Sequence, residues 1–228
     1  MEEMQHILQK TTITEWKTRV TAAMNERSYQ HCTEERLHDI LMSIPALDIP
    51  NYTLHLNLIR QAGIDISACQ GCVSRHTVSH SRTFKHSLWR VAPSMGKSHI
   101  IAFVTLLLMS TPPYPRVSVL YANELLLEKD KVFMERVGKL LGDKKKLTTF
   151  SSKPSCNFSA KDVVIVDECD DVIFSNLSWF TKKLSKATVI GFTATPPTEE
   201  ESHEAAVLAS FFKDNIFDSK LSLQDIDG

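Results

Sequence analysis

Apolar positions change their rhythm along the 228 residues. In the N-terminal part they recur at helical spacing. Trp16, Val20 and Met24 follow a capping Thr14, and Leu37, Ile40 and Leu41 follow Thr33. Pro45 and Pro50 break this pattern. Leu54, Leu56, Leu58 and Ile59 then suggest a short element that Gly63 ends. Residues 1–70 are read as a helical extension packed on a main domain at 71–228. From residue 85 onward the pattern becomes alternating strands and helices. It predicts strands over His86–Val91, Val117–Ala122, Val163–Val166 and Thr188–Phe192. Helices are predicted over Lys97–Met109, Glu124–Leu141, Ile173–Lys186 and 204–213, with a short segment Asn215–Leu221 at the end. Such alternation implies parallel strands with crossover helices, an α/β domain.

Composition narrows the picture. With 43% hydrophobic and 23% charged residues the chain can build a packed core. Its 26 basic and 27 acidic residues balance, which argues against a globally basic nucleic-acid coat. The acidic start, Met-Glu-Glu-Met-Gln, lacks a signal-peptide pattern. The longest apolar stretch, Ile100–Met109, is interrupted by Thr105 and covers about half a membrane span, so it is read as a core helix. The expectation is a chain without a membrane span, intracellular, in the cytoplasm or nucleus. Five scattered cysteines make no disulfide framework and are expected to be reduced. Lys144-Lys145-Lys146 reads as a solvated turn.

Two local motifs carry chemistry. Pro93-Ser94-Met95-Gly96-Lys97-Ser98 lies between a predicted strand and a predicted helix, as a phosphate-binding loop does. Such a loop wraps phosphate oxygens in backbone N–H groups at a helix N-terminus. A lysine, here Lys97, reaches the β- and γ-phosphates, and a hydroxyl, here Ser98, ligates Mg²⁺. Val91 replaces the usual first small residue and Ser94 stands where a second glycine is common. The second motif is Asp167-Glu168-Cys169-Asp170, directly after the apolar run Val163–Val166. Strand ends present ligands in parallel sheets. Asp167 is placed to hold Mg²⁺ and Glu168 to activate the attacking water, while Asp170 and Asp171 extend the acidic cluster.

With these motifs in this order, the chain resembles the superfamily 2 helicases and translocases. Asp167-Glu168-Cys169-Asp170 is similar to their DExD motif II, and Thr193-Ala194-Thr195 to their motif III. The likeness covers residues 85–220. It implies a RecA-like P-loop parallel sheet that binds ATP and Mg²⁺ and hydrolyses ATP, with motif III coupling hydrolysis to movement of two motor lobes. A narrower likeness lies at 121–142, where Asn123, Glu124, Lys129, Asp130, Met134 and Gly142 match the spacing of the segment after the P-loop in the SecA translocase motors. The short interval between motifs II and III leaves no room for the SecA substrate-clamping insertion. The resemblance also implies a second lobe that completes the site with arginines. No such lobe is recognised here, so a partner or second lobe is expected for full activity and slow turnover is expected without it. The track, nucleic acid or polypeptide, is not specified. Gln61 and Gln70 precede the loop without the surroundings of the family's adenine-reading glutamine. The rival readings are a nucleotide-binding relic or interaction module and, more remotely, a P-loop kinase.

One further constellation competes. Cys69, Cys72, His76 and His80 carry zinc-ligand chemistry, but the short gap between the pairs would strain a single tetrahedron. They are read as a reduced loop leading to the first strand. Around them, Arg75, Arg82, Lys85, His86 and Arg90 form a weak patch for phosphate or an adenine edge. Trp16, Trp89 and Trp179 are read as packing residues.

Overall fold

The computed structural model describes residues 55–56, 59–60, 62–110, 116–141, 147–151, 157–195, 202–213 and 215–221. Most of the expected N-terminal extension, including the elements at Thr14 and Thr33, lies outside the described residues, as do Lys144–Lys146. In chain order the elements are α1 (Ala68–Thr83), β1 (His86–Arg90), α2 (Lys97–Ser110), β2 (Arg116–Leu120), α3 (Glu124–Leu141) and β3 (Leu147–Phe150). They continue with β4 (Asp162–Val166), α4 (Cys169–Trp179), a π turn (Phe180–Leu184), β5 (Thr188–Thr193), α5 (Ser202–Phe212) and β6 (Ile216–Asp218).

Six strands form one sheet in the order β3-β2-β4-β5-β1-β6, with every pair parallel. The α/β class expected from the alternation is therefore present. Side chains in a strand alternate between faces, and here they feed two separate cores. Val163, Ile165, Ile190, Phe192, Val117 and Val119 pack with Ile100, Phe103, Leu107 and Val137 on one side. Val164, Val166, Val189 and Leu88 pack with Ile173, Phe180, Leu184, Leu208 and Phe212 on the other. The run Ile100–Leu108 is buried on every face apart from small slivers, as an all-apolar helix must be. No described helix is long and apolar enough to cross a membrane.

Three elements depart from the expected pattern. The stretch from Cys69 to His80 is not a loop but most of α1. It starts with a capping box in which Ser67 and Gln70 each bond the other's backbone N–H. Its low hydrophobicity conceals its burial. Ser74, Thr77 and Ser81 donate to carbonyls of their own helix at 2.8, 2.8 and 2.7 Å, so these polar side chains need no water. The helix after Asp167 starts earlier than expected, at Cys169, and is broken at Asn176 (φ −154°). The π turn that follows takes an additional residue per turn and leaves Phe180 and Leu184 fully buried. The short β3, only half-buried, pairs its Thr148 hydroxyl with that of Ser118 at 2.9 Å.

The N-terminal ends of β2 and β4 are locked by Arg116. Its guanidinium bonds Asp162 through Nε at 3.0 Å and through Nη2. Burial would raise the Asp162 carboxyl, but the Arg116 fork and Ser159 outweigh it and hold it below the ordinary carboxylate range. A carboxyl depressed in the folded state adds stability that is complete above its unfolded pKa and is lost as pH falls through the folded value. Asp162→Asn is expected to cost about 1.5–3 kcal/mol at neutral pH. Denaturant titrations should show variant and parent converging as pH drops below about 4.

Gly191 lies mid-strand in β5, where a Cβ would fall 2.7 Å from Cys169 Sγ and 2.8 Å from Leu88 Cδ1. Gly191→Ala is expected to destabilise by about 1–3 kcal/mol through overpacking. Cys169→Ala in the same chain should restore part of the loss, read as the urea midpoint.

Candidate functional site

The C-terminal ends of β1, β4 and β5 lie side by side, with β5 in the middle. In register, Gly191 is level with Val166 of β4, and Thr193 with Arg90 of β1. The segments leaving these ends carry the two sequence motifs and Thr193, so the topology brings residues from three parts of the chain to one edge. This is where open parallel sheets present ligands.

After β1 the chain turns through Pro93, Ser94, Met95 and Gly96 into α2, whose first residue is Lys97. Ser94 (φ 64°) and Gly96 (φ 73°) both have left-handed backbone. At Gly96 the absent side chain also matters, because a Cβ would fall 2.3 Å from Gln70 Nε2. Gln70 is 3% exposed and donates to the Met95 carbonyl at 3.1 Å. Its Oε1 accepts from Ser67 N–H at 3.0 Å. One side chain therefore joins the start of α1 to the loop. The visible signal was Ser67 with Gln70 three residues later, a capping box.

Lys97 is the centre of the site. Its Nζ lies 3.1 Å from Asp167 Oδ1 and also pairs with Glu168 Oε1. Asp167 is 3% exposed, and its backbone N–H bonds the Leu120 carbonyl at 2.9 Å. Burial raises its carboxyl above the ordinary range, Lys97 pulls against this, and Glu168 and Asp130 add to the rise. Glu168 occupies the N-cap position of α4 in left-handed backbone (φ 44°, ψ 61°), without a side-chain hydrogen bond to the helix. For a residue with a side chain that geometry costs about 1 kcal/mol or more. Asp171, at the first turn of α4, is raised by burial and then by Asp170 and Glu168.

Thr193 is fully buried, and its carbonyl accepts from Val91 N–H at 2.9 Å, tying the ends of β5 and β1. Its hydroxyl has no hydrogen-bond partner among the described residues. Ala194 is half-buried and Thr195 exposed. Asp130, matched only through the spacing of 121–142, lies near this site on α3; burial raises its carboxyl above the ordinary range, and Ser98, Lys129 and Lys97 nearby pull against this. The signal in the sequence is an acid at helical spacing, four and seven residues, before the core residues Met134 and Val137 of α3.

Other candidates lie elsewhere. Cys69, Cys72, His76 and His80 sit on one continuous helix, where the first and last are separated by about 16 Å of axis, too far for one ion. Arg75, His76 and His80 are buried in α1 rather than forming a surface patch. Burial, then His80 and Arg75, pull His76 down to about 3, so it is neutral. His86, drawn to about 4 by burial and by Lys85 and Lys213, stacks on Phe211 at 4.5 Å. Arg90 pairs with Asp218 at 3.5 Å. Trp89 is fully buried against His80 and Phe217. Trp179 is half-buried and lines a small cavity with Tyr121, Asn123 and Asp171.

No protein-family model matches the chain, and no curated protein matches it in sequence.

Replacing Gln70 removes two hydrogen bonds at a buried position. Gln70→Ala is expected to cost about 1–3 kcal/mol and to loosen the loop. Hydrogen exchange should show a larger acceleration at residues 94–98 than at the β4 and β5 amides, whose protection falls only with the global stability.

Proposed function

We propose that this chain is a RecA-like nucleotide-binding lobe of helicase or translocase type that binds ATP with Mg²⁺ and hydrolyses it. The observation that carries the reading is the contact of Lys97, at the start of α2, with both Asp167 and Glu168 beyond the end of β4. The first turn of a helix has N–H groups without intrahelical partners and the positive end of its dipole, so phosphate oxygens fit at Gly96–Ser98.

The residues also fit the metal. Ser98 offers a hydroxyl oxygen and Asp167 a buried carboxylate, both hard oxygen donors of the kind Mg²⁺ takes. When bound, Mg²⁺ supplies charge neutralisation at the β- and γ-phosphates. Lys97 binds phosphate once its hold on the acids is exchanged for the triphosphate. Glu168, released from Lys97, is the base that accepts a proton from the attacking water. Thr193, at the edge of the site, offers an unpartnered hydroxyl for an incoming group.

Lys97→Ala should abolish ATP–Mg²⁺ binding in titration calorimetry while circular dichroism stays native. Glu168→Gln should keep binding and lower turnover by about 10²–10⁴. Unchanged affinity in the first variant would remove the nucleotide reading. Equal turnover in the second would remove the role of Glu168. A parent that binds ATP without turning it over would favour the binding module over the motor.

A further inference from the structure

Open parallel sheets present ligands at the carboxyl ends of their strands, so a cavity at the amino end has no part in the site around Lys97. Here His86 opens β1, about 13 Å of strand away from the carboxyl edge. A groove of about 870 Å³ lies there, between α5 and the segment formed by the end of α4 and the π turn. That volume falls within the range of about 300–1,000 Å³ that small-molecule sites occupy.

Small side chains stand across the groove from one another, Ser178 and Ser185 on one wall, Ala206 and Ser210 on the other. Close packing alone would fill such a space with larger apolar residues. Leu177, Val207 and Phe211, all half-buried, give it an apolar lining. The Phe211 ring is held in place, stacked on His86 at 4.5 Å and edge-on to Phe180 at 4.7 Å. Thr181 spends its hydroxyl on the Leu177 carbonyl at 2.9 Å. The hydroxyls of Ser178, Ser185 and Ser210 have no such partner among the described residues.

Charge distinguishes one end. No residue lining the groove is acidic. Lys213, just beyond α5, is exposed, lines the groove and makes no ion pair among the described residues. Its backbone is left-handed (φ 51°), where glycine would be free of steric cost. The helix dipole favours a cation at this end of α5, but it does not account for the open space beside it.

We propose that this groove is a second binding site, separate from the carboxyl edge, for a small amphipathic organic anion. The apolar body of the ligand lies against Leu177, Val207 and Phe211, its anionic head pairs with Lys213, and the serine hydroxyls bond polar atoms between.

The test uses anilinonaphthalene sulfonate, which joins an apolar ring system to one anionic group, and its uncharged counterpart N-phenyl-1-naphthylamine. Each is titrated by fluorescence against the 228-residue chain. The parent should bind the sulfonate saturably, one to one, and saturating ATP–Mg²⁺ should leave that binding in place. Ala206→Trp, which fills the groove from an exposed position, should abolish binding of both probes. Lys213→Gly removes the cation and suits the left-handed backbone. It should weaken the sulfonate about 2–5-fold, as an exposed ion pair allows, and leave the amine unchanged. The difference should fade as salt is added, and Lys213→Arg should keep the parent affinity. No saturable binding by the parent, displacement by ATP–Mg²⁺, or parent-like binding by Ala206→Trp overturns the proposal. Equal weakening of both probes in Lys213→Gly, or none, overturns it as a site for an anion. A concentration-dependent dimer that Ala206→Trp abolishes, with no probe bound, overturns it in favour of a second copy of this chain. Should Ala206→Trp fail to fold, Ser210→Trp on the same wall carries the same comparison.

Discussion

Everything at the carboxyl edge of this sheet depends on one cation and the acids it balances. Lys97 touches Asp167 and Glu168, with Asp130 close enough to sense it. At 3.1 Å the Lys97–Asp167 attraction is about 5 kcal/mol gross at an effective dielectric constant near 20. Removing each ion from water costs several kcal/mol, so the net gain is small. Such a contact orders the site without fixing it against a stronger competitor. A triphosphate brings several negative charges to Lys97 and would leave the carboxylates facing one another. That exchange is favourable only if positive charge arrives with the phosphates. The imbalance of buried acids over cations is thus a physical argument for a metal–nucleotide complex rather than bare nucleotide.

The loop reaches this geometry by an uncommon route. Ser94 takes a left-handed backbone where glycine would be free of steric cost. Glu168 does the same on the opposite side of the site. Strain of this kind persists only where the surroundings over-determine it, and here they do. Gln70 holds the Met95 carbonyl on one side, and Lys97 holds the Glu168 carboxylate on the other. The polar helix α1, which has no chemistry of its own, is part of the site because its first turn braces the loop.

The long periodic elements were legible in the sequence. The α3 helix occupies Glu124–Leu141 as its pattern predicts, and the apolar run Val163–Val166 is a central strand buried on both faces. Both motifs come together at one sheet edge. What was not legible has physical causes. α1 hides its burial behind Ser and Thr side chains that bond their own helix. β3 is short and polar, and its existence depends on pairing with β2. The break at Asn176 and the π turn reflect packing of Phe180 and Leu184 against α5, a tertiary demand with no local signature. The bracing role of Gln70 escaped because it joins elements far apart in sequence.

Gly191 shows how the fold serves the site. It lies between Leu88 of β1 and Cys169 at the start of α4, both close to where a Cβ would stand. Only a residue without a side chain lets α4 begin directly on the sheet. That close start forces the chain to reverse at Glu168, which accounts for its left-handed backbone and lets its carboxylate meet Lys97. Were α4 displaced outward, the turn could relax into an ordinary conformation and the carboxylate would lose its place. Close packing at one glycine in the core is therefore what seats the candidate base at the surface, and the strain at Glu168 is the cost of that position.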